Sequence, residues 1–87
     1  MNAFTVTLIG REACHLCDDA RDIIHDVLQD FPSGTLEHQS LDDHPELEAL
    51  YSDKIPVVLI NGREHAHWRV NPERFRQSLM DLGAAEG

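Results

Sequence analysis

Hydrophobic and polar positions follow two periods along this chain, and the points where one gives way to the other mark out its elements. Phe4-Thr5-Val6-Thr7-Leu8-Ile9 is a β-branched run closing on Gly10. After a short tail of Met1 and Asn2 it predicts a buried strand over about Ala3 to Ile9. From Leu16 the apolar residues move to helical spacing, and Leu16, Ala20, Ile23, Ile24, Val27, Leu28 and Phe31 share one stripe. The stripe predicts a helix to about Asp30, stopped by Phe31-Pro32-Ser33-Gly34. Thr35 to Leu41 predicts a second strand of weak alternation, because His38 and Ser40 share a face with Leu36.

Asp42-Asp43-His44-Pro45-Glu46 supplies a cap candidate, a proline suited to the first helical position and an acidic first turn. Leu47, Leu50 and Tyr51 are the expected buried stripe of that short helix. Beyond the polar connection Ser52-Asp53-Lys54, Ile55 to Ile60 is an apolar strand and Asn61-Gly62 a strong hairpin signal. Arg63 to Trp68 alternates as the return strand, which points Ala66 and Trp68 inward and His65 and His67 to solvent. Asn71-Pro72 opens the last helix, with Val70 and Phe75 spaced as a hydrophobic staple across its cap. Phe75, Leu79 and Leu82 face inward in this reading, and Gly83 ends the helix. The order β-α-β-α-β-β-α suits an α/β architecture: a four-stranded mixed sheet flanked by helices, its first two strands parallel and its last two antiparallel.

The length, 87 residues, fits one domain over 1–87. Seven Lys and Arg against sixteen Asp and Glu give a formal charge of -9, so nucleic acid is not an expected partner and acidic partners are disfavoured. The sequence shows no pattern of a signal peptide and no apolar run of membrane-spanning length. A cytoplasmic, reducing home and a monomeric state are the expectations. There, a close cysteine pair points to redox or metal chemistry rather than to a structural staple.

That pair is Cys14-His15-Leu16-Cys17, which holds both cysteines of the chain at the junction of the first strand and first helix. Cys14 falls at or just before the helix and Cys17 one turn in. Unpaired N–H groups and the positive end of the helix dipole stabilise a thiolate at Cys14, the reactive form of the sulfur. In such motifs the thiol pKa falls from about 8.5 to roughly 3.5–7.5. Arg11 and a protonated His15 push the same way, and Asp18 and Asp19 push back. Two other readings stay open at this point: a pair of inert buried cysteines, and a metal-carrying or redox-sensing binding module. A closed zinc site wants two further ligands, and neither His65 with His67 nor His38 with His44 has the usual ligand spacing, so no metal site is expected.

With strand, dithiol, helix and the strand-opening Ile55-Pro56-Val57 in place, the chain resembles the small glutaredoxin-like proteins of the thioredoxin-fold superfamily over nearly its whole length. The resemblance implies a thiol–disulfide oxidoreductase with Cys14 as nucleophile and Cys17 as the resolving, more buried cysteine. It implies a cis peptide at Pro56 facing the dithiol, and backbone groups of Ile55 offered to an extended thiol substrate. Arg11, three residues before Cys14, matches the basic position from which glutaredoxins contact glutathione; His15, from its place between the cysteines, is either an exposed residue at the helix start or a tuner of the thiolate. No bound cofactor is implied; glutathione is the candidate co-substrate, and the partners are a disulfide-bearing protein or small thiol and a thioredoxin-type reductase or glutathione. Two positions differ from glutaredoxins: His15-Leu16 replaces Pro-Tyr between the cysteines, and Trp68-Arg69-Val70-Asn71-Pro72 replaces a Gly-Gly-rich segment that helps seat glutathione.

Overall fold

A computed structural model of the chain describes residues 3–83; the expected tail at Met1 and Asn2 lies outside the described residues. In chain order the elements are β1 (Phe4–Gly10), α1 (His15–Leu28), β2 (Gly34–Ser40), α2 (Pro45–Tyr51), β3 (Val57–Ile60), β4 (Arg63–His67) and α3 (Pro72–Asp81). The strands form one sheet in the order β2-β1-β3-β4. β1 runs parallel to β2 and antiparallel to β3, and β4 returns antiparallel along β3. This is the mixed α/β sheet that the element order predicts.

Strand alternation splits the core into two layers. Val6, Leu8, Val58 and Ile60 project to one face and pack with Ala20, Ile24 and Val27 of α1 and Phe75 and Leu79 of α3. Ile9 and Val57 project to the other, where Leu41 and the half-buried Leu47, Tyr51 and Leu59 form a thinner layer beneath α2. Asn71 caps α3 as expected, its Oδ1 accepting the N–H of Glu73 at 3.0 Å and of Arg74 at 3.1 Å. The staple residues Val70 and Phe75 are both buried in the larger layer. Asn61 and Gly62 take positive φ values of 51° and 82°, the turn conformation that an Asn-Gly hairpin uses.

Several expectations need correction. α1 ends at Leu28, two residues before Asp30, because the N–H groups of Gln29, Asp30 and Phe31 bond three residues back and tighten the chain out of the α-helix. β2 is shifted one residue earlier, to Gly34–Ser40, and β3 begins at Val57, since Pro56 has no N–H to give the ladder. Leu16, Leu50 and Leu82 are exposed rather than inward. Leu82 is the C-cap, beyond the last full turn; α2 is only seven residues long and reaches the sheet through Leu47 and Tyr51; Leu16 stands on the first turn of α1, at the rim of a groove.

β4 departs most. Val58 opposes Ala66 while Leu59 opposes Glu64, leaving His65 as an extra, bulged residue. The bulge breaks the period of two, so His65 is half-buried rather than turned fully to solvent. Its ring lies 5.7 Å from that of Phe75 and its Nδ1 shares a 3.2 Å hydrogen bond with Ser78 Oγ. Burial there pushes the imidazole pKa down from its ordinary value. His67 stays exposed beside Glu64, as expected. Trp68, expected inside, is 55% exposed, because the chain leaves the strand at that residue with φ 67°.

Candidate functional site

β1 delivers the chain to the site and ends on Gly10. A Cβ placed on Gly10 would come within 2.9 Å of Cys17 Sγ and 3.2 Å of Cys17 Cβ, so this position must be bare for the second cysteine to sit where it does. The loop then turns through Ala13 at φ 58°, a left-handed conformation that costs an L-residue roughly 1–2 kcal/mol. The turn brings Cys14 to the N-cap of α1 in extended conformation. Its Sγ accepts the N–H of Cys17 at 3.2 Å, where Ser, Thr, Asp or Asn would usually offer oxygen. Its carbonyl accepts the N–H of Asp18 at 3.0 Å, the first bond of the helix.

Cys17 lies one turn on, with the two Cα atoms 5.2 Å apart, and a disulfide joins Cys14 and Cys17. The two sulfurs are not equivalent in access: Cys17 is 6% exposed, whereas Cys14 is half-buried at the mouth of the helix. His15 is exposed beside them on the first turn. Among the described residues no group of three or more His, Cys, Asp or Glu is placed to hold a metal ion, and no helix is long and apolar enough to cross a membrane.

β3 lies beside the strand that leads into this loop. Ile9 pairs with Val57, so the loop leaving β1 and the residues entering β3 meet at one end of the sheet. There the Ile55–Pro56 peptide is cis, as the resemblance implies. Trp68 fastens this segment: its backbone N–H donates to Pro56 O at 2.8 Å and Lys54 O at 3.2 Å, and its indole Nε1–H to Asp53 O at 2.8 Å. Arg11 reaches toward α2, with Nε 3.7 Å from Asp42 Oδ1 and Nη2 3.7 Å from Glu48 Oε1. On the β2 side of α1, a cavity of about 220 Å³ is lined by Arg11, Cys17, Arg21, His38 and Ser40, so the second cysteine also borders a cavity.

Cys14, His15 and Cys17 thus share one turn, Ile55 and Pro56 lead into the strand that pairs with β1, and Arg11 bridges the loop to α2. Three contributors escape a reading of the sequence. Gly10 looks like a strand terminator, although a glycine just ahead of a cysteine loop is a signal of close approach. Trp68 looks like a strand residue facing the core. The carboxylates that engage Arg11 lie more than thirty residues away, in the acidic stretch around α2, and only the fold brings them together.

Comparison with known proteins agrees with this geometry. The sequence pattern of a family described as "Glutaredoxin-like domain (DUF836)" matches residues 5–80. An uncharacterized protein of Mycobacterium tuberculosis is 28% identical over 78 residues, covering 85% of this chain and 80% of its own. The X-ray structure of a structural-genomics target, XcR50 from X. campestris, is 31% identical, superposes with a TM-score of 0.72, and covers 87% of this chain and 96% of that one. Mitochondrial thioredoxin 3 of Saccharomyces cerevisiae, in its oxidized form, shares the fold at 16% identity, with a TM-score of 0.69 over 94% of this chain and 81% of its own.

Proposed function

The chain belongs to the glutaredoxin-like domain family, and on that premise we propose that it is a thiol–disulfide oxidoreductase working through a mixed disulfide. The observation that carries this reading is the Cys14 sulfur at a helix N-cap, accepting an amide N–H and joined to a deeper Cys17. The donors that face a sulfur at this position favour its anion over its thiol.

In the reduced protein the Cys14 thiolate attacks one sulfur of a substrate disulfide. That S–S bond breaks, the Cys14–substrate bond forms, and the other substrate sulfur leaves as a thiolate that takes a proton from water. Cys17 then gives up its proton to solvent and attacks Cys14 Sγ, forming the Cys14–Cys17 disulfide and releasing the second substrate thiolate. Two electrons pass from the protein to the substrate. A thiol reductant, glutathione or a thioredoxin-type reductase in a cytoplasmic setting, returns them. Ile55 and Pro56 form the backbone rim for an extended substrate, His15 adds positive charge when protonated, and Arg11 offers a guanidinium to an anionic group after exchanging one of its exposed carboxylate partners. Exposed pairs of that kind hold by about 1 kcal/mol or less.

Replacing Cys14 with Ser tests the assignment. Reduction of hydroxyethyl disulfide coupled to glutathione should disappear, while Cys17→Ser, mixed with substrate disulfide in the absence of any added thiol, should stall as a mixed disulfide at Cys14. Turnover that survives in Cys14→Ser would falsify the choice of nucleophile.

A further inference from the structure

Beside the disulfide runs a second, apolar depression. About 170 Å³ in volume, it lies between the first turns of α1 and the β4–α3 connection, and is lined by Leu16, Ile23, Trp68 and Val70 with Asp19 and Arg69 as its polar members. Leu16, which lines it, stands between the two cysteines on the first turn of α1 and so ties the groove to the reaction centre. One wall is built at a cost: Trp68 is held at φ 67°, a conformation uncommon for a bulky side chain, and three hydrogen bonds keep it there with the residue 55% exposed. With Leu16 41% exposed, two large apolar side chains flank a hollow about the size of one more.

We propose that this groove receives a bulky apolar side chain next to the reacting cysteine of a basic polypeptide substrate; this rests on the oxidoreductase reading above and names its substrate class. Glutathione has only a γ-glutamyl and a glycyl group beside its cysteine, so it carries nothing that would fill an apolar hollow. A polypeptide does. Charge selects the sign of the partner. The chain carries -9; the groove's own lining balances Asp19 against Arg69, but on the first two turns of α1 Asp18, Asp19 and Asp22 outnumber Arg21, which is already engaged by Asp18 and Asp22. A cationic segment is drawn to such a surface and an acidic one is repelled.

Four short peptides test this, each with its cysteine in mixed disulfide with 5-thio-2-nitrobenzoate, crossing leucine or serine beside the cysteine with lysine or glutamate flanks. Attack by Cys14 of the reduced Cys17→Ser protein transfers the peptide sulfur to Cys14 and releases the coloured nitrothiobenzoate anion. The leucine–lysine peptide should react about tenfold faster than the serine–lysine one, and should lose its lead over the leucine–glutamate peptide as salt rises. Trp68 is the only tryptophan of the chain, so its emission should shift saturably with the leucine–lysine peptide in which serine replaces cysteine. In Trp68→Ala the leucine-to-serine rate ratio should fall toward one and in Trp68→Phe it should hold. Equal rates for leucine and serine peptides, with all of them reacting, overturn the groove and leave the oxidoreductase intact. An emission that shifts with protein concentration alone assigns the groove to a second copy and overturns it too. Failure of every peptide and of hydroxyethyl disulfide removes the redox reading, and this inference with it.

Discussion

Gly10→Ala isolates one contact of the site, because a single methyl group separates two predictions. The new Cβ would stand 2.9 Å from Cys17 Sγ and 3.2 Å from Cys17 Cβ, against a comfortable separation of about 3.5–4.0 Å. Overpacking of this kind costs about 1–3 kcal/mol. In the dithiol the Cys17 sulfur is the free end of a short side chain and can rotate away; in the disulfide it is tied to Cys14 and cannot. The cost therefore falls mainly on the oxidised form. For a two-electron couple about 1.4 kcal/mol corresponds to 30 mV, so the potential should become less negative by roughly 20–60 mV. The intrinsic gain of Ala over Gly within a strand, about 0.5–1 kcal/mol, is common to both redox states and drops out. The assay is equilibration of wild type and variant in glutathione redox buffers, followed by alkylation and mass measurement of the reduced fraction. A potential that stays put or becomes more negative refutes the reasoning, as does a melting temperature lowered equally in both redox forms.

Two further outcomes concern the scaffold. Asn71→Ala removes an oxygen that accepts two N–H groups at the start of α3 and should cost about 1 kcal/mol, lowering Tm by roughly 4–8 °C in a circular-dichroism melt; Asn71→Asp should keep most of the stability. His65 has its pKa lowered by burial from the ordinary 6.5, so on acidification the unfolded chain takes up the proton first. The neutral ring is fully accommodated above about pH 6.5, and stability is lost as pH falls through that value toward the folded one. Wild type should lose more stability than His65→Gln between about pH 7.5 and about pH 5, and parallel denaturation curves across that range would remove His65 as the cause.

Local chemistry made most of the scaffold readable. The handover from β-branched run to helical stripe at Gly10–Cys14, the Asn61-Gly62 turn and the Asn71-Pro72 cap are each decided by residues adjacent in sequence, and each stands where the pattern puts it. The dithiol was legible for the same reason, since one helical turn sets the spacing of Cys14 and Cys17. What could not be read depends on contacts between distant segments. A stripe of leucines states which side of a helix is apolar and not how far the facing layer extends, so Leu16 and Leu50 looked buried. One inserted residue reset the alternation of β4, turning His65 inward, and the left-handed step at Trp68 turned the indole outward. Arg11 was recognisable as a charge near the sulfurs, but its partnership with Asp42 and Glu48 exists only once α2 has folded across the end of the sheet.

The bulge at His65 also bears on how the molecule keeps to itself. β4 is an outer strand, and a regular outer strand offers a foreign chain an even row of free amides and carbonyls to extend. Here that row is interrupted midway, and the strand is only five residues long, with Arg63 and Glu64 at its start and exposed. A newcomer aligning with either half falls out of step with the other. The same irregularity that tucks an imidazole against α3 therefore spoils this margin as a seed for runaway sheet growth, so the edge strand carries its own guard against lengthening the sheet.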